Sequence, residues 1–437
     1  MHATLDESPD RLAARLRAEG RSRAWAARLP ADAEQLQAST PWLAEAVAAL
    51  PDCDGHEAVF LEVAPQSGAL FGAFLHRTAR GQGQGGLRCW DYASALAFLG
   101  DGLRLARGMG RKSALAGLWW GGGKGVIALP PGAPCGDAGW RRRLFAEYGD
   151  FVTSLRGCYV TAEDAGTTPE DMRSVYSRTR FVTCVPEELG GSGNPAPMTA
   201  AGVLCAIEAA LEWLGEGGLE GKRIAMQGAG NVAGHMVRGL LERGVASIVV
   251  SETNAGRRAA LLDHCDDPRL RVVQVRYGDH SILAQPCDVL VPNALGGVLD
   301  PKTIPTIQAR LVCGAANNVL ADDLRDGEAL AARGIALVPD FVANRMGIVS
   351  CCNEHTGRVH PDPAVEAQLD REHPHGIHQG VQRVLAEARR LGVSPTTAAN
   401  ALADAVMEEP HPIHGQRTRR IVASLVERGW ADEVPGG

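Results

Sequence analysis

The chain has 437 residues, 45% hydrophobic and 22% charged, a globular composition long enough for two or three domains. Its net charge of −7, with only short arginine patches (Arg141 to Arg143; Arg417, Arg419 and Arg420), argues against a nucleic-acid or anionic-membrane partner. No run of about 18 apolar residues exists, and the charged opening MHATLDESPDRLAARLRAEG lacks an apolar core, so neither a membrane span nor a signal peptide is expected.

Residues 1–50 are rich in Ala, Arg, Leu and Glu and read as an N-terminal helical extension of one or two surface helices. AVFLEVAP and ALFGAFLHRT then read as two strands joined by the turn QSG. Residues 93–110 return to helical spacing, with Leu96, Leu99, Leu103 and Ala106 on one face. KGVIALP reads as a strand, RRRLFAEYGDFVTSL as a helix and CYVTAED as a strand ending in acids, so residues 51–195 form a mixed α/β region. GGSGNPAP, at residues 190–197, marks a loop or hinge. Beyond it comes a long helix, MTAAGVLCAIEAALEWLG, and then strands (RIAMQGAG, ASIVVSETN, LRVVQV, CDVLVPNA, ARLVCGAAN, IALVPDF) interleaved with helices. That alternation predicts a doubly wound parallel sheet over residues 196–377, followed by C-terminal helices over 378–437. Eleven cysteines without CxxC spacing predict free thiols in a reducing, cytoplasmic setting.

The most general chemical signal is GKRIAMQGAGNVAGHMVRGLLERGVASIVVSETN. An apolar strand runs into Gly228-Ala229-Gly230-Asn231-Val232-Ala233, a helix follows, and a second strand ends at Glu252. This is the GxGxxA form of the dinucleotide fingerprint. Gly228 makes the tight turn, Gly230 admits the pyrophosphate to the helix N-terminus, and Ala233 permits close helix–strand packing. Glu252, 24 residues past Gly228, stands where an acid accepts ribose hydroxyls, which favours NAD over NADP because a carboxylate repels a 2′-phosphate. Arg257 and Arg258 follow closely and read as exposed helix residues.

Two lysines narrow the chemistry. Lys112 and Lys124 lie twelve positions apart in GMGRKSALAGLWWGGGKGV, with Lys124 directly after three glycines. A buried lysine has a lowered pKa and acts as a base or polarises a carbonyl near neutral pH. A second lysine nearby lowers it further and can hold a carboxylate. Asp164, in YVTAEDAGTTPEDM, ends a strand before a glycine turn, where catalytic carboxylates are often presented.

Seven segments occur in order: GGLRCW, GMGRKSALAGLWWGGGKGVI, YVTAEDAGTTPEDM, SGNPAPMTAAGV, QGAGNVA, CGAANN and PDFVANRMGIVSCCNE. Together they closely resemble the superfamily of glutamate, leucine, valine and phenylalanine dehydrogenases, nearest to its leucine/phenylalanine branch, over about residues 55–430. The resemblance implies reversible oxidative deamination of an L-amino acid to a 2-oxo acid and ammonia with NAD⁺ as hydride acceptor, in a homo-oligomer without a metal. It implies a substrate domain at 51–195, a Rossmann domain at 196–377 and C-terminal helices that return to the first domain. By position, Lys112 would bind the substrate α-carboxylate, Lys124 would activate water, and Asp164 would shuttle protons to and from the amino group. Asn318 would hold the substrate amine or the nicotinamide region. Asn254, Ala294 and Asn317 fall at cofactor positions. Gly85, Gly86, Gln84, Ala162, Ile348 and Cys351 fall at substrate positions. The triple glycine is expected to let substrate and cofactor come close.

Two departures bear on the substrate. Gln84 stands where glutamate dehydrogenases resemble one another in having lysine and the leucine branch has an apolar residue. A neutral pocket with one amide disfavours a carboxylate side chain and tolerates apolar ones if the amide turns to solvent. Asn344-Arg345-Met346-Gly347 replaces the usual Asn-Ala-Gly-Gly. It adds bulk and charge near the nicotinamide, with Arg345 either facing solvent or binding an acidic substrate group. The leading reading is therefore a dehydrogenase of neutral (branched-chain, aliphatic or aromatic) L-amino acids. A glutamate-type enzyme and a nucleotide-binding regulatory protein of the same fold are the alternatives. His355, His360, His373, His375 and His378 fit no zinc spacing and read as a solvated loop.

Overall fold

The computed structural model describes residues 3–433 apart from 31, 295, 355, 356 and 358, so His355 lies outside the described residues. One sheet of eight strands is mixed. Its order is Asp32–Ala38, Arg23–Leu29, His56–Val63, Leu70–His76, Gly121–Ala128, Gly83–Gln84 and Tyr159–Val160, with Leu87–Trp90 also paired to Gly121–Ala128. The first five run antiparallel to their neighbours, while Gly83–Gln84, Leu87–Trp90 and Tyr159–Val160 join in parallel. Both faces are covered at the central strands His56–Val63, Leu70–His76 and Gly121–Ala128, which are buried along their whole length. Val59 and Leu61 pack with Leu99 and Leu103 of the helix Ala95–Leu115, whereas Phe60 and Phe71 pack with Tyr148 and Phe151 of the helix Ala138–Ser154.

The N-terminal segment departs from expectation. Residues 1–50 are not purely helical: Pro9–Ala18 and Pro41–Ala48 are helices, but Arg23–Leu29 and Asp32–Ala38 are strands. RAWAARL is made of good helix formers, yet Ala24 and Ala26 enter one core layer while Trp25 and Ala27 enter the other. Antiparallel pairing with His56–Val63 (Trp25 opposite Phe60, Ala26 opposite Val59) overrides local propensity.

The second sheet has six strands, all parallel: Leu270–Gln274, Ser247–Glu252, Arg223–Gln227, Val289–Pro292, Leu311–Val312 and Ala336–Leu337. Counted within the sheet this is the order 3-2-1-4-5-6, and its switch point lies between Arg223–Gln227 and Val289–Pro292. In the C-terminal part, Ile377–Leu391 packs on Ala196–Trp213, Pro395–Met407 on Ala95–Leu115, and Arg417–Glu427 on Arg23–Leu29. Among the described residues no helix is long and apolar enough to cross a membrane. A cleft of ≈ 1280 Å³ runs between the two sheets.

Candidate active site

The helix Ala95–Leu115 carries Lys112 and the strand Gly121–Ala128 carries Lys124. They meet because glycine faces glycine. A Cβ on Gly110 would lie 3.3 Å from the Gly122 Cα, and one on Gly122 would lie 2.4 Å from the Ala106 carbonyl oxygen. A Cβ on Gly123 would lie 2.8 Å from the Gln84 amide. The triple glycine therefore seats backbone on backbone. It does not face substrate or cofactor, which corrects the sequence-based expectation. Both lysines are delivered to the cleft wall and both are buried.

Asp164 reaches Lys124 from the turn after Tyr159–Val160. Gly166 shapes that turn: its φ is +83°, and a Cβ would collide with the Cys89 carbonyl at 2.1 Å. The Asp164 amide donates to the Thr167 hydroxyl at 2.8 Å. Its carboxylate accepts a hydrogen bond from Lys124 Nζ and lies 3.7 Å from Arg88 Nε. Arg88 is held in turn by Asp101 at 3.0 Å. Burial pushes the Asp164 carboxyl up, but Lys124 and Arg88 outweigh it and hold it well below the usual range. Burial also lowers the Lys124 ammonium, helped by Arg88 and opposed by Asp164. Lys112 is brought down to about 8 by burial, partly offset by Asp340, with Lys124 lowering it further. Lys112 Nζ donates to Asn317 Oδ1 at 3.3 Å, and Asn344 Nδ2 donates to the same oxygen at 2.8 Å.

At the other end of the cleft the groups are backbone. Gly228 has φ +92°, and Gly230 caps the helix Asn231–Glu242. A Cβ on Gly230 would meet open space, and Gly230, Asn231 and Val232 line the cleft. The first amides of a helix lack intrahelical partners and attract an anion. The residues present fit a dinucleotide at the turn and the free helix start, whereas Glu252 is buried behind the turn and does not line the cleft as the expected acceptor of ribose hydroxyls. Glu252 accepts from the Ala229 amide at 2.7 Å and the Asn254 amide at 2.8 Å. Burial raises its carboxyl, but those amides, with Thr253 and Arg257, hold it below the ordinary value.

The cleft wall gathers Gln84, Gly86, Lys112, Lys124, Ala162, Asp164, Ile348 and Cys351 on one side with Ala294, Asn317 and Asn318 on the other. Asn318 has φ +50° and its amide donates to Asp340 at 2.8 Å. Five predicted residues stand behind the wall. Gly85 lies against the Gly123 carbonyl, Gly228 is in the turn, Ala233 is in the core, Glu252 is buried, and Asn254 caps the helix Ala255–His264. Sequence reasoning passed over Arg88, which lay inside the quoted GGLRCW, and Asp340 and Asn344, inside PDFVANR. Only their approach to Asp164, Lys112 and Asn317 singles them out.

Arg345 and Met346 do not reshape the pocket. Arg345 is wholly buried and donates to the Leu115 carbonyl at 2.7 Å and to the His375 carbonyl. It thus caps the Leu115 carbonyl at the end of the lysine-bearing helix and ties it to the segment before Ile377–Leu391, and burial lowers it to about 10. It faces neither solvent nor substrate. Met346 turns into the core against Gly202, where a Cβ would lie 2.6 Å from its Cγ, and Gly347 keeps the place on the cleft wall. Gln84 is 1% exposed and cannot turn to solvent. Arg257 lines the cleft, while Arg258 donates to the Val272 carbonyl at 3.1 Å. Of the remaining histidines, His378 is buried against Glu212 at 2.9 Å, and His360 and His375 are exposed. Among the described residues no group of His, Cys, Asp and Glu is arranged to hold a metal, and the cysteines are free thiols.

A family model described as Glutamate/Leucine/Phenylalanine/Valine dehydrogenase matches residues 190–411, and the Glu/Leu/Phe/Val dehydrogenase dimerisation domain matches residues 66–181. Leucine dehydrogenase of Bacillus subtilis (strain 168) is 37% identical over 365 residues, 83% of this chain and 92% of that protein. Valine dehydrogenase of Streptomyces coelicolor is 36% identical over 362 residues, 83% of this chain and 94% of that protein. The solved structure of L-tryptophan dehydrogenase from Nostoc punctiforme superposes with a TM-score of 0.62 at 30% identity, covering 84% of this chain and 97% of that one. With its paired lysines and carboxylate facing a dinucleotide turn across one cleft, the chain belongs to the glutamate/leucine/phenylalanine/valine dehydrogenase family and is an amino-acid dehydrogenase.

Proposed function

We propose that the protein catalyses reversible, NAD-dependent oxidative deamination of a neutral L-amino acid to its 2-oxo acid and ammonia. The observation that carries this reading is the half-buried Lys124–Asp164 hydrogen bond with Lys112 on the same cleft wall. The Lys112 ammonium, oriented by Asn317, pairs with the substrate α-carboxylate and fixes the α-carbon in the cleft. A nicotinamide dinucleotide held at the Gly228 turn and the helix start by Gly230, Asn231 and Val232 would supply the hydride acceptor for that carbon. Lys124, its proton loosened by burial, takes a proton from the water that adds to the resulting imine. The hydrogen bond to Asp164 is the path by which protons pass to and from the departing amine. Arg88 keeps the carboxylate aligned and charged between turnovers.

Glu252 supports NAD over NADP. Its carboxylate is held charged directly behind the glycine turn, where it opposes a 2′-phosphate. Around Gln84, the side-chain end of the cleft holds Ala162, Ile348 and Cys351, which offer no cation to a glutamate side chain. The dimerisation-domain match supports an oligomer, with amino acid, 2-oxo acid and ammonia as the small-molecule partners. Reduction of NAD⁺ and of NADP⁺ followed in parallel over the standard L-amino acids tests the reading. Lys124→Ala is expected to cut kcat by about 10²–10⁴ while NAD⁺ still binds. Wild-type silence across the panel, or full activity in the variant, overturns it.

A further inference from the structure

We infer that the side-chain pocket is built for a neutral substrate side chain that ends in a hydrogen-bonding group, a hydroxyl or a carboxamide, and that Gln84 is the residue that selects it. The inference rests on the dehydrogenase reading above and deepens it. Gln84 lines the cleft yet is 1% exposed, and its Oε1 has no hydrogen-bond partner among the described residues. Its main chain cannot carry it away. Gly83–Gln84 is paired on both sides, Gln84 opposite Gly122 and Val160. A Cβ on Gly85 would lie 1.8 Å from the Gly123 carbonyl oxygen, so the next residue is pinned as well.

The neighbouring polar groups are already spent on each other. Cys351 Sγ donates to the Ile348 carbonyl at 3.3 Å, and the Thr183 hydroxyl donates to Cys351 Sγ at 3.5 Å. Ala162 and Ile348 add only apolar surface. Among Gln84, Ala162, Ile348 and Cys351, the Gln84 amide is thus the group with hydrogen-bonding capacity to spare. An aliphatic substrate leaves this buried amide oxygen without a hydrogen-bond partner. A side chain bearing O–H or CONH₂ pairs with it, because a carboxamide both donates and accepts. A site whose polar group is left unpaired rejects the apolar isostere.

The test is kcat/KM with NAD⁺ for two isosteric pairs, L-leucine against L-asparagine and L-valine against L-threonine, and for L-phenylalanine against L-tyrosine, which adds a hydroxyl. In the pair turned over fastest, the polar member is expected to lead by about tenfold to a hundredfold. Gln84→Leu is expected to invert that ratio while leaving NAD⁺ affinity unchanged, and Gln84→Met serves if the leucine variant does not fold. An apolar lead in the wild type, or a ratio untouched by either variant, overturns the inference and leaves the dehydrogenase standing. No turnover of any standard L-amino acid by a protein that binds NAD⁺ takes down both.

Discussion

Two glycine-rich segments, the strand start Gly121–Gly123 and the turn Gly228–Gly230, position the two ends of the cleft, and they act in opposite ways. In Gly121–Gly123 the space a Cβ would need is filled by protein: the Thr78 Cα at 2.8 Å, the Ala106 carbonyl at 2.4 Å and the Gly83 carbonyl carbon at 2.6 Å. At Gly230 it is open. The first set brings two charged side chains together through main-chain packing, and the second leaves the main chain itself facing the cleft. Chemistry at the lysine end lies in side chains whose protons burial has loosened. At the dinucleotide end it lies in backbone amides and a helix start.

Alanine substitutions break the comparison most sharply. Gly122→Ala forces the helix Ala95–Leu115 off the strand, with backbone as the obstacle on both sides. The expected loss of stability exceeds the about 1–3 kcal/mol of an ordinary overpacked core position, read from the denaturant midpoint or from failure to fold. Gly230→Ala, with φ −74° and nothing to collide with, should leave that midpoint nearly unchanged. Its effect should appear as weaker NAD⁺ binding, about tenfold, or about 1.4 kcal/mol. Equal stability losses in the two variants would erase the distinction.

The same contrast governs what could be read from sequence. The dinucleotide end was legible because its function is local: strand, turn, helix and acid follow one another within Arg223–Glu252. The lysine end was legible as a set of residues, but not as a geometry. Lys112, Asp164 and Asn317 are far apart in the chain, and nothing local says that Asn317 and not Asn318 touches Lys112. The glycines were misread because a triple glycine looks the same whether a ligand or a carbonyl lies beside it. RAWAARL reads as helix because it is buried on both faces by small residues of high helix propensity, which leaves no alternation to see. Arg345 was misread because a caged arginine with only carbonyl partners has no sequence signature.

Charge at the lysine end also makes it the pH-sensitive half. With Lys112 at about 8 in the folded protein against an ordinary 10.5, the ammonium that receives a carboxylate is present below about 8 and lost above it. Accordingly kcat/KM for the 2-oxo acid, which reports the free enzyme, should fall up to tenfold per pH unit above that point. Lys112→Arg should move the falling limb to higher pH. The sign for stability is opposite. Between about 8 and 10.5 the unfolded chain binds more protons at this position, so the Lys112 contribution to stability rises with pH over that interval. A kcat/KM limb at the same pH in wild type and Lys112→Arg would assign it to another group.

The smallest effect on catalysis is expected at the position that looked most disruptive in the sequence. Arg345 holds the Leu115 and His375 carbonyls from inside the core, away from the cleft wall. Arg345→Ala leaves both oxygens short of a donor and should cost about 1–3 kcal/mol of stability. It should leave the KM for amino acid and for NAD⁺ unchanged, and the ranking of substrates with it. A change in that ranking at unchanged stability would place the guanidinium in the pocket after all and reopen an acidic substrate. Loss of stability alone would mean that its contribution lies in fixing the end of the helix that carries Lys112, one step removed from the chemistry.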